Sequence, residues 1–102
     1  MWIITNQFQN SKYTLLKYPI VITVGQNESP HGICFPDFAW CFSAAETIQD
    51  IIPKAKMTLQ KHVDCMKSSG MKIPPPSKLS CLTDQGQYSN PSTLFALIEV
   101  DI

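Results

Sequence analysis

The fold of this chain is decided by residues 34–47, which read CFPDFAWCFSAAET. Two apolar runs, residues 33–35 and 40–42, lie on either side of Pro36 and Asp37. Such a pair marks a turn between strands, because proline fixes the backbone angle φ and aspartate hydrogen-bonds to nearby backbone. The stretch therefore predicts a strand, a tight turn and a second strand. Pro36 has no N–H to donate, so we expect it at a strand end or a sheet edge.

Residues 47–68 predict one amphipathic helix. We expect Thr47 to cap its first turn through the side-chain oxygen. Steps of 100° per residue place one apolar stripe along the helix, with His62 at its margin. The stripe contains Ile48, Ile51, Ile52, Ala55, Leu59, Val63 and Met66. Pro53 lies on the outer face near the second turn, where we expect a kink or a delayed start. Gly70 marks the helix end.

Two further segments have strand patterns. Residues 18–24 (YPIVITV) are rich in branched side chains, and residues 94–102 (LFALIEVDI) alternate between an apolar and an acidic face. With short strands at about 32–35 and 40–44, the order is β-β-β-α-β. This order predicts an α+β fold, in which a three-stranded antiparallel sheet and a closing strand pack against one main helix.

The segments outside these elements are predicted from composition. Residues 1–16 form an N-terminal extension with the potential for an extra edge strand, and residues 17–102 form the domain. Residues 80–93 contain Gly, Asn and Pro, which indicates a loop. Residues 72–77 (KIPPPS) are expected to be an extended connector.

Length and composition indicate one globular domain. The chain has 102 residues, 44% of them hydrophobic, and no apolar run approaches the ~20 residues of a bilayer span. Its first residues include no basic segment of the kind that begins a secretory signal. We therefore expect a cytoplasmic protein without a membrane partner.

Charge is unevenly distributed along the chain. The formal net charge is zero, but residues 54–78 contain six lysines and one acid, Asp64, a local balance of +5. The sequence contains no arginine, the side chain that best reads guanine and phosphate. Nucleic-acid binding is therefore not expected, except through the lysine-rich helix face.

The titratable residues give no reaction centre. The four cysteines form no C-x-x-C motif, and the pairs His31/Cys34 and His62/Cys65 supply too few converging ligands for zinc. We expect no metal or other cofactor, and buried cysteine thiols that act as small hydrophobes. The acidic residues are scattered, so we predict no catalytic residues and no enzyme activity.

The aromatic residues of the turn suggest protein binding instead. Aromatic side chains on tight loops often anchor interfaces, although Phe38 and Trp40 could both pack into the core. Together with the lysines of the helix, they define a predicted partner-binding set. The set consists of Pro36, Asp37, Phe38, Trp40, Lys54 and Lys61.

Several short segments, taken in order, carry a family resemblance. They are residues 18–22 (YPIVI), 35–38 (FPDF), 41–43 (CFS), 46–47 (ET), 55–56 (AK), 73–77 (IPPPS) and 96–102 (ALIEVDI). In this order the chain resembles the N-terminal domain of HicB antitoxins over about residues 17–102. The resemblance implies a partial ribonuclease-H-like fold without the catalytic carboxylates of that fold. It also implies binding to a HicA toxin, a small mRNA interferase whose catalytic histidine the antitoxin masks.

Three features depart from the family pattern. The chain stops at Asp101-Ile102, where a C-terminal DNA-binding domain usually begins, so autorepression is not expected. Trp40 stands where the family usually has a glycine before the cysteine. The helix is basic, whereas family helices are typically acidic.

The first hypothesis is therefore an antitoxin that neutralises a HicA-like mRNA interferase by direct contact. The alternative is a stand-alone inhibitor, from a phage or another mobile element, that uses the same fold against a different host protein such as a nuclease or defence factor. A third is a nucleic-acid binder that uses the lysine face. The sheet edges also offer a route to a homodimer.

Overall fold

A four-stranded antiparallel sheet packs against one long helix. The structure is a computed structural model that describes residues 15–83 and 90–102. Its elements are β1 (Leu15–Thr23), β2 (His31–Cys34), β3 (Phe42–Ala45), α1 (Ile48–Ser68), α2 (Leu79–Thr83) and β4 (Thr93–Asp101). The strand order is β3-β2-β1-β4, so β4 lies beside β1. The predicted order of strands and main helix is confirmed, whereas the predicted N-terminal edge strand lies mostly outside the described residues.

Strand register decides which side chains face the helix. Ile22 is opposite Ile33, which is opposite Ser43, and the Ser43 hydroxyl accepts a hydrogen bond from Thr58 of α1. Side chains of directly paired residues lie on one face of a sheet. Ser43 therefore faces α1, and the exposed Phe42 beside it lies on β3 at the edge of the sheet.

The core lies between α1 and the sheet. Of the apolar stripe predicted for the helix, Ile51, Ala55, Leu59 and Val63 are buried, and Met66 is partly buried against them. The sheet contributes Tyr18, Ile20, Ile22, Ile33, Ile98 and Val100. Ile48 and Ile52 were expected in the stripe but are exposed. Ile48 is the first helical residue, and Ile52 lies on the side of the helix next to β4, where the sheet ends.

The helix ends follow the sequence in part. Thr47 occupies the N-cap position, but its side chain makes no capping hydrogen bond, contrary to expectation, and only its carbonyl accepts from the Asp50 N–H at 3.2 Å. The helix begins at Ile48 and continues through the exposed Pro53, so its start is not delayed. At the other end Gly70 has φ +74°, and the Met71 N–H donates to the Met66 carbonyl at 2.9 Å. A left-handed residue at this position favours glycine.

Two other expectations are corrected. The predicted loop at 80–93 begins with the short helix α2, in which Leu82 is buried. The cysteines are not all buried: Cys41 is buried and Cys34 is half-buried, but Cys65 and Cys81 are exposed. Cys65 lies about 100° from the centre of the apolar stripe, beyond the reach of the sheet.

Candidate protein-binding surface

Two consecutive turns connect β2 to β3. The Phe38 N–H donates to the Phe35 carbonyl at 2.9 Å, and the Cys41 N–H donates to the Phe38 carbonyl at 3.4 Å. Trp40 is the third residue of the second turn and has φ +65°. This position requires a left-handed backbone, which glycine adopts freely and which costs other residues about 1 kcal/mol.

The Trp40 side chain lies almost entirely in solvent, with 90% of its surface exposed. A strained backbone is usually retained only where the surrounding structure fixes it and the residue has a role. The indole gains little from packing within the described part of the chain, so packing does not explain the strain. Trp40 is therefore the strongest candidate for a functional residue in the turn.

Asp37 fixes the proline-rich connector to this turn. Its carboxylate accepts hydrogen bonds from the Ser77 N–H at 2.9 Å and from the Ser77 hydroxyl. Nearby, the Tyr18 hydroxyl donates to the Pro74 carbonyl at 2.6 Å. Burial raises the pKa of Tyr18, and the Asp37 charge raises it further. Both oxygens of Asp37 are thus used within the domain, where they hold the connector against the turn.

Phe38 is a core residue. It is 4% exposed and its ring packs edge-on against Tyr18, with centroids 4.9 Å apart, and against His62 at 5.7 Å. The side chain therefore does not provide the exposed anchor that was expected, because the apolar ring fills the space between the turn and α1. His62 is half-buried beside it, as expected for a residue at the stripe margin.

Trp40 meets the two predicted lysines at one depression of about 480 Å³. We call this the basic depression. It lies along the side of α1 next to β3, and its lining includes Trp40, Phe42, Lys54, Met57, Lys61 and Cys65. The sequence reasoning missed Met57 and Phe42, which are 49% and 65% exposed. Two features of the sequence could have indicated that these side chains are exposed: Met57 lies opposite the apolar stripe of the helix, and Phe42 directly follows the turn.

A second depression, of about 320 Å³, lies on the other side of Trp40. We call this the apolar depression. Its lining includes Phe38, Ala39, Trp40, Met66, Met71 and Pro74, with Asp37 and His62 at its wall. Pro36 is half-buried in the first of the two turns and is not part of the lining of either depression. The structure therefore places five of the six predicted residues around two neighbouring depressions, and Trp40 and His62 line both of them.

The chemistry of the thiols does not favour a nucleophile in this region. Burial raises the pKa of Cys41 to about 11, with a smaller contribution from Cys34, and burial also raises the pKa of Cys34. A thiol acts as a nucleophile or a metal ligand as the thiolate, so these two are poorly suited to either role at neutral pH. Within residues 15–83 and 90–102, no three His, Cys, Asp or Glu side chains are grouped as metal ligands.

No helix in the same residues is long and apolar enough to span a bilayer.

Comparison with known proteins decides the family. Residues 18–102 match the family described as HicB_like antitoxin of bacterial toxin-antitoxin system. The chain belongs to this family. No curated protein matches this HicB-like antitoxin with significance.

Solved structures share the fold. A chain of the "HicA3 and HicB3 toxin-antitoxin complex" is 26% identical, with a TM-score of 0.71 over 85% of this chain and 100% of that chain. The N-terminal domain of antitoxin HicB from Burkholderia pseudomallei is 24% identical, with a TM-score of 0.71 and the same coverage. A chain of a toxin-antitoxin complex from Streptococcus pneumoniae is 18% identical, with a TM-score of 0.69 over 86% of this chain and 70% of that chain. These matches confirm the predicted fold class of the HicB-like antitoxin.

Proposed function

We propose that this HicB-like antitoxin neutralises a HicA-like mRNA interferase by direct protein–protein contact, without catalysis of its own. The observation that carries the proposal is the family match over residues 18–102. Similarity to a chain of the HicA3 and HicB3 complex supports a protein partner. The exposed Trp40 beside two depressions supplies a surface of the kind that interfaces use, because buried aromatic anchors carry much of the binding energy of protein complexes.

Growth rescue tests the proposal. The full chain is co-expressed in a bacterial host with each member of a panel of HicA-type toxins. We expect restored growth with at least one toxin, and a stable complex of that toxin with the purified chain by size-exclusion chromatography. Failure to rescue or bind any member of the panel contradicts the proposal.

A titration separates binding from catalysis. RNA cleavage by the toxin that this chain neutralises in the growth test is measured at rising molar ratios of chain to toxin. A binder stops cleavage near a stoichiometric ratio, whereas an enzyme that modifies the toxin acts at far lower ratios. Loss of toxin activity at a few per cent of the stoichiometric amount contradicts the non-catalytic mechanism.

A second candidate is an inhibitor of a different host protein, such as a nuclease or defence factor. The basic depression favours it, because Lys54 and Lys61 lie on a helix flank that suits an acidic partner better than a basic RNA-binding toxin. Capture of proteins by the tagged chain from its native host distinguishes the two candidates. A HicA-like toxin that co-purifies and that the chain inhibits supports the first candidate. A different protein, inhibited in the purified state, supports the second.

A further inference from the structure

We propose that the surface around Trp40 binds a segment of a partner protein that contains an apolar side chain next to carboxylates. The apolar side chain occupies the apolar depression, the segment crosses the Trp40 indole, and the carboxylates lie toward Lys61 in the basic depression. The inference rests on the proposed function only in assigning this segment to the toxin, and that assignment requires an acidic stretch on a toxin whose RNA-binding surface is basic.

The first step is the position of Trp40. Trp40 lines both depressions and is 90% exposed. Its φ of +65° is fixed by the turn that ends at Cys41, whose side chain is buried. The connector is held by Asp37 and Ser77 against the preceding turn, which ends at Phe38. The indole is thus presented from a fixed base, which reduces the entropy lost when a partner binds.

The second step is the chemistry of the apolar depression. Its lining combines the Met66 and Met71 side chains with Pro74 and Ala39. Met71 is 58% exposed. Methionine side chains adapt their shape to an inserted group, and this property suits a binding surface more than a core. The depression has space for one aliphatic or aromatic side chain of a partner.

The third step is charge. Lys54 and Lys61 both line the basic depression and are separated by seven residues, about two helical turns, so they lie on the same side of α1. Lys54 also lines a neighbouring depression together with Glu46 and Asp50. Asp50 precedes Lys54 by four residues on α1, a spacing at which opposite charges partly offset each other. Lys61 therefore provides most of the attraction for a carboxylate. The lysine flank and the indole together favour an acidic and apolar segment over a basic one.

A peptide titration tests this inference without a toxin. The probe is a blocked nine-residue peptide with two central leucines flanked by glutamates, and its matched control has lysines in place of the glutamates. Binding to the full ¹⁵N-labelled chain is followed by NMR. We expect the acidic peptide to shift the signals of the Trp40 indole and Lys61, and the basic peptide to leave them unchanged. Trp40→Ala and Lys61→Glu each weaken binding by about tenfold or more, and Lys56→Glu, on the opposite flank of α1, by less than about twofold.

Three results overturn the inference. The acidic peptide produces no shifts, or it shifts Lys56 and Leu97 on the β4 flank instead. Alternatively, a 12-nucleotide RNA shifts Trp40 and Lys61 with a steep salt dependence while the acidic peptide does not, in which case the surface binds phosphate.

The same variants are then tested for binding to the toxin that the chain neutralises in the growth test. We expect Trp40→Ala to weaken that complex by at least about 30-fold, with Lys56→Glu as the unchanged control. A toxin that binds wild type and Trp40→Ala equally leaves the proposed function intact and overturns the assignment of the segment to the toxin. If the peptide binds as expected but the chain neutralises no toxin in the growth test, the proposed function is contradicted and the inference about the surface stands.

Discussion

The two flanks of α1 use side chains at the same spacing in opposite ways. On the flank next to β4, Gln60 and Lys67 are seven residues apart and both bond to backbone: the Gln60 amide bridges the N–H and the carbonyl of Asp101 at 2.9 Å each, and the Lys67 ammonium donates to the Ile102 carbonyl at 2.8 Å. On the flank next to β3, Lys54 and Lys61 are also seven residues apart but line an open depression.

This difference separates stability from recognition. Side chains that satisfy a strand edge protect it from pairing with other chains and fix the strand to the helix. On the β3 flank the described residues show one corresponding hydrogen bond, from Thr58 to Ser43 at 3.1 Å, and Lys54, Met57 and Lys61 line the open depression. We therefore expect folding to depend on side chains that hydrogen-bond to backbone, on the β4 flank and at the base of the Trp40 turn. We expect binding to depend on the exposed side chains around Trp40.

The largest effect on stability is expected at the base of the Trp40 turn. Asp37→Ala removes both acceptors of Ser77 and leaves its N–H and hydroxyl without partners, which should lower the free energy of unfolding by about 2–3 kcal/mol. Urea denaturation measures the change. Asp37→Asn keeps a carbonyl acceptor and should lose about half as much. An Asp37→Ala variant as stable as wild type would show that the connector does not support the turn.

High pH should weaken the same region. The pKa of Cys41 is raised to about 11, by burial first and by Cys34 second, above the ordinary value of 9.0. Between these values the unfolded chain loses the thiol proton while the folded chain keeps it, so the free energy of unfolding falls as pH rises from about 9 to 11, by about 2 kcal/mol in total. Urea titrations of wild type and Cys41→Ala at pH 8, 9, 10 and 11 measure the difference. Equal slopes for the two proteins would contradict the prediction.

Gln60→Ala tests the β4 flank. The substitution breaks two hydrogen bonds to the Asp101 backbone and should lower the free energy of unfolding by about 1–2 kcal/mol, with no change in partner or peptide binding. Gln60→Glu is the second variant: its carboxylate still accepts from the Asp101 N–H, but it faces the Asp101 carbonyl and the Asp64 carboxylate, both of which accept hydrogen bonds from the Gln60 amide. Its loss should therefore be at least as large as that of Gln60→Ala. Weaker binding by a Gln60→Ala variant that remains folded would show that the flanks are not independent.

The sequence predicted the elements that depend on periodicity. Branched residues at 18–24 and the apolar stripe of α1 indicated a strand and a helix, because burial of one face imposes those periods. The same reasoning failed at Ile48 and Ile52, since a stripe gives the direction of the buried face but not how far the opposing sheet extends. The prediction of a capping hydrogen bond from Thr47 failed for a related reason. The residue type permits the bond, but the conformation of the side chain decides whether the bond forms.

The candidate site was predictable only in part. Trp40 was selected as an aromatic residue of the turn and Lys54 and Lys61 as members of the lysine-rich helix face, and the structure places all three around one depression. Phe38 could not be assigned from sequence, because an aromatic residue in a turn suits a core and an interface equally well, and only the packing against Tyr18 and His62 decides. The internal use of Asp37 depends on Ser77, forty residues away, which no local pattern predicts.

The smallest effect on stability, about 1 kcal/mol, is expected at Trp40, and it gives the sharpest test of whether this side chain serves binding or folding. Trp40→Gly and Trp40→Ala both remove an indole that is 90% exposed, so neither loses appreciable packing. Alanine retains the strain of φ +65°, whereas glycine relieves it, so Trp40→Gly should be more stable than Trp40→Ala by about 1 kcal/mol by urea denaturation. Both should lose binding of the acidic peptide to a similar extent, because both lack the indole. Two variants of equal stability would show that the turn is not strained, and a Trp40→Gly variant that still binds would show that the indole is not the anchor.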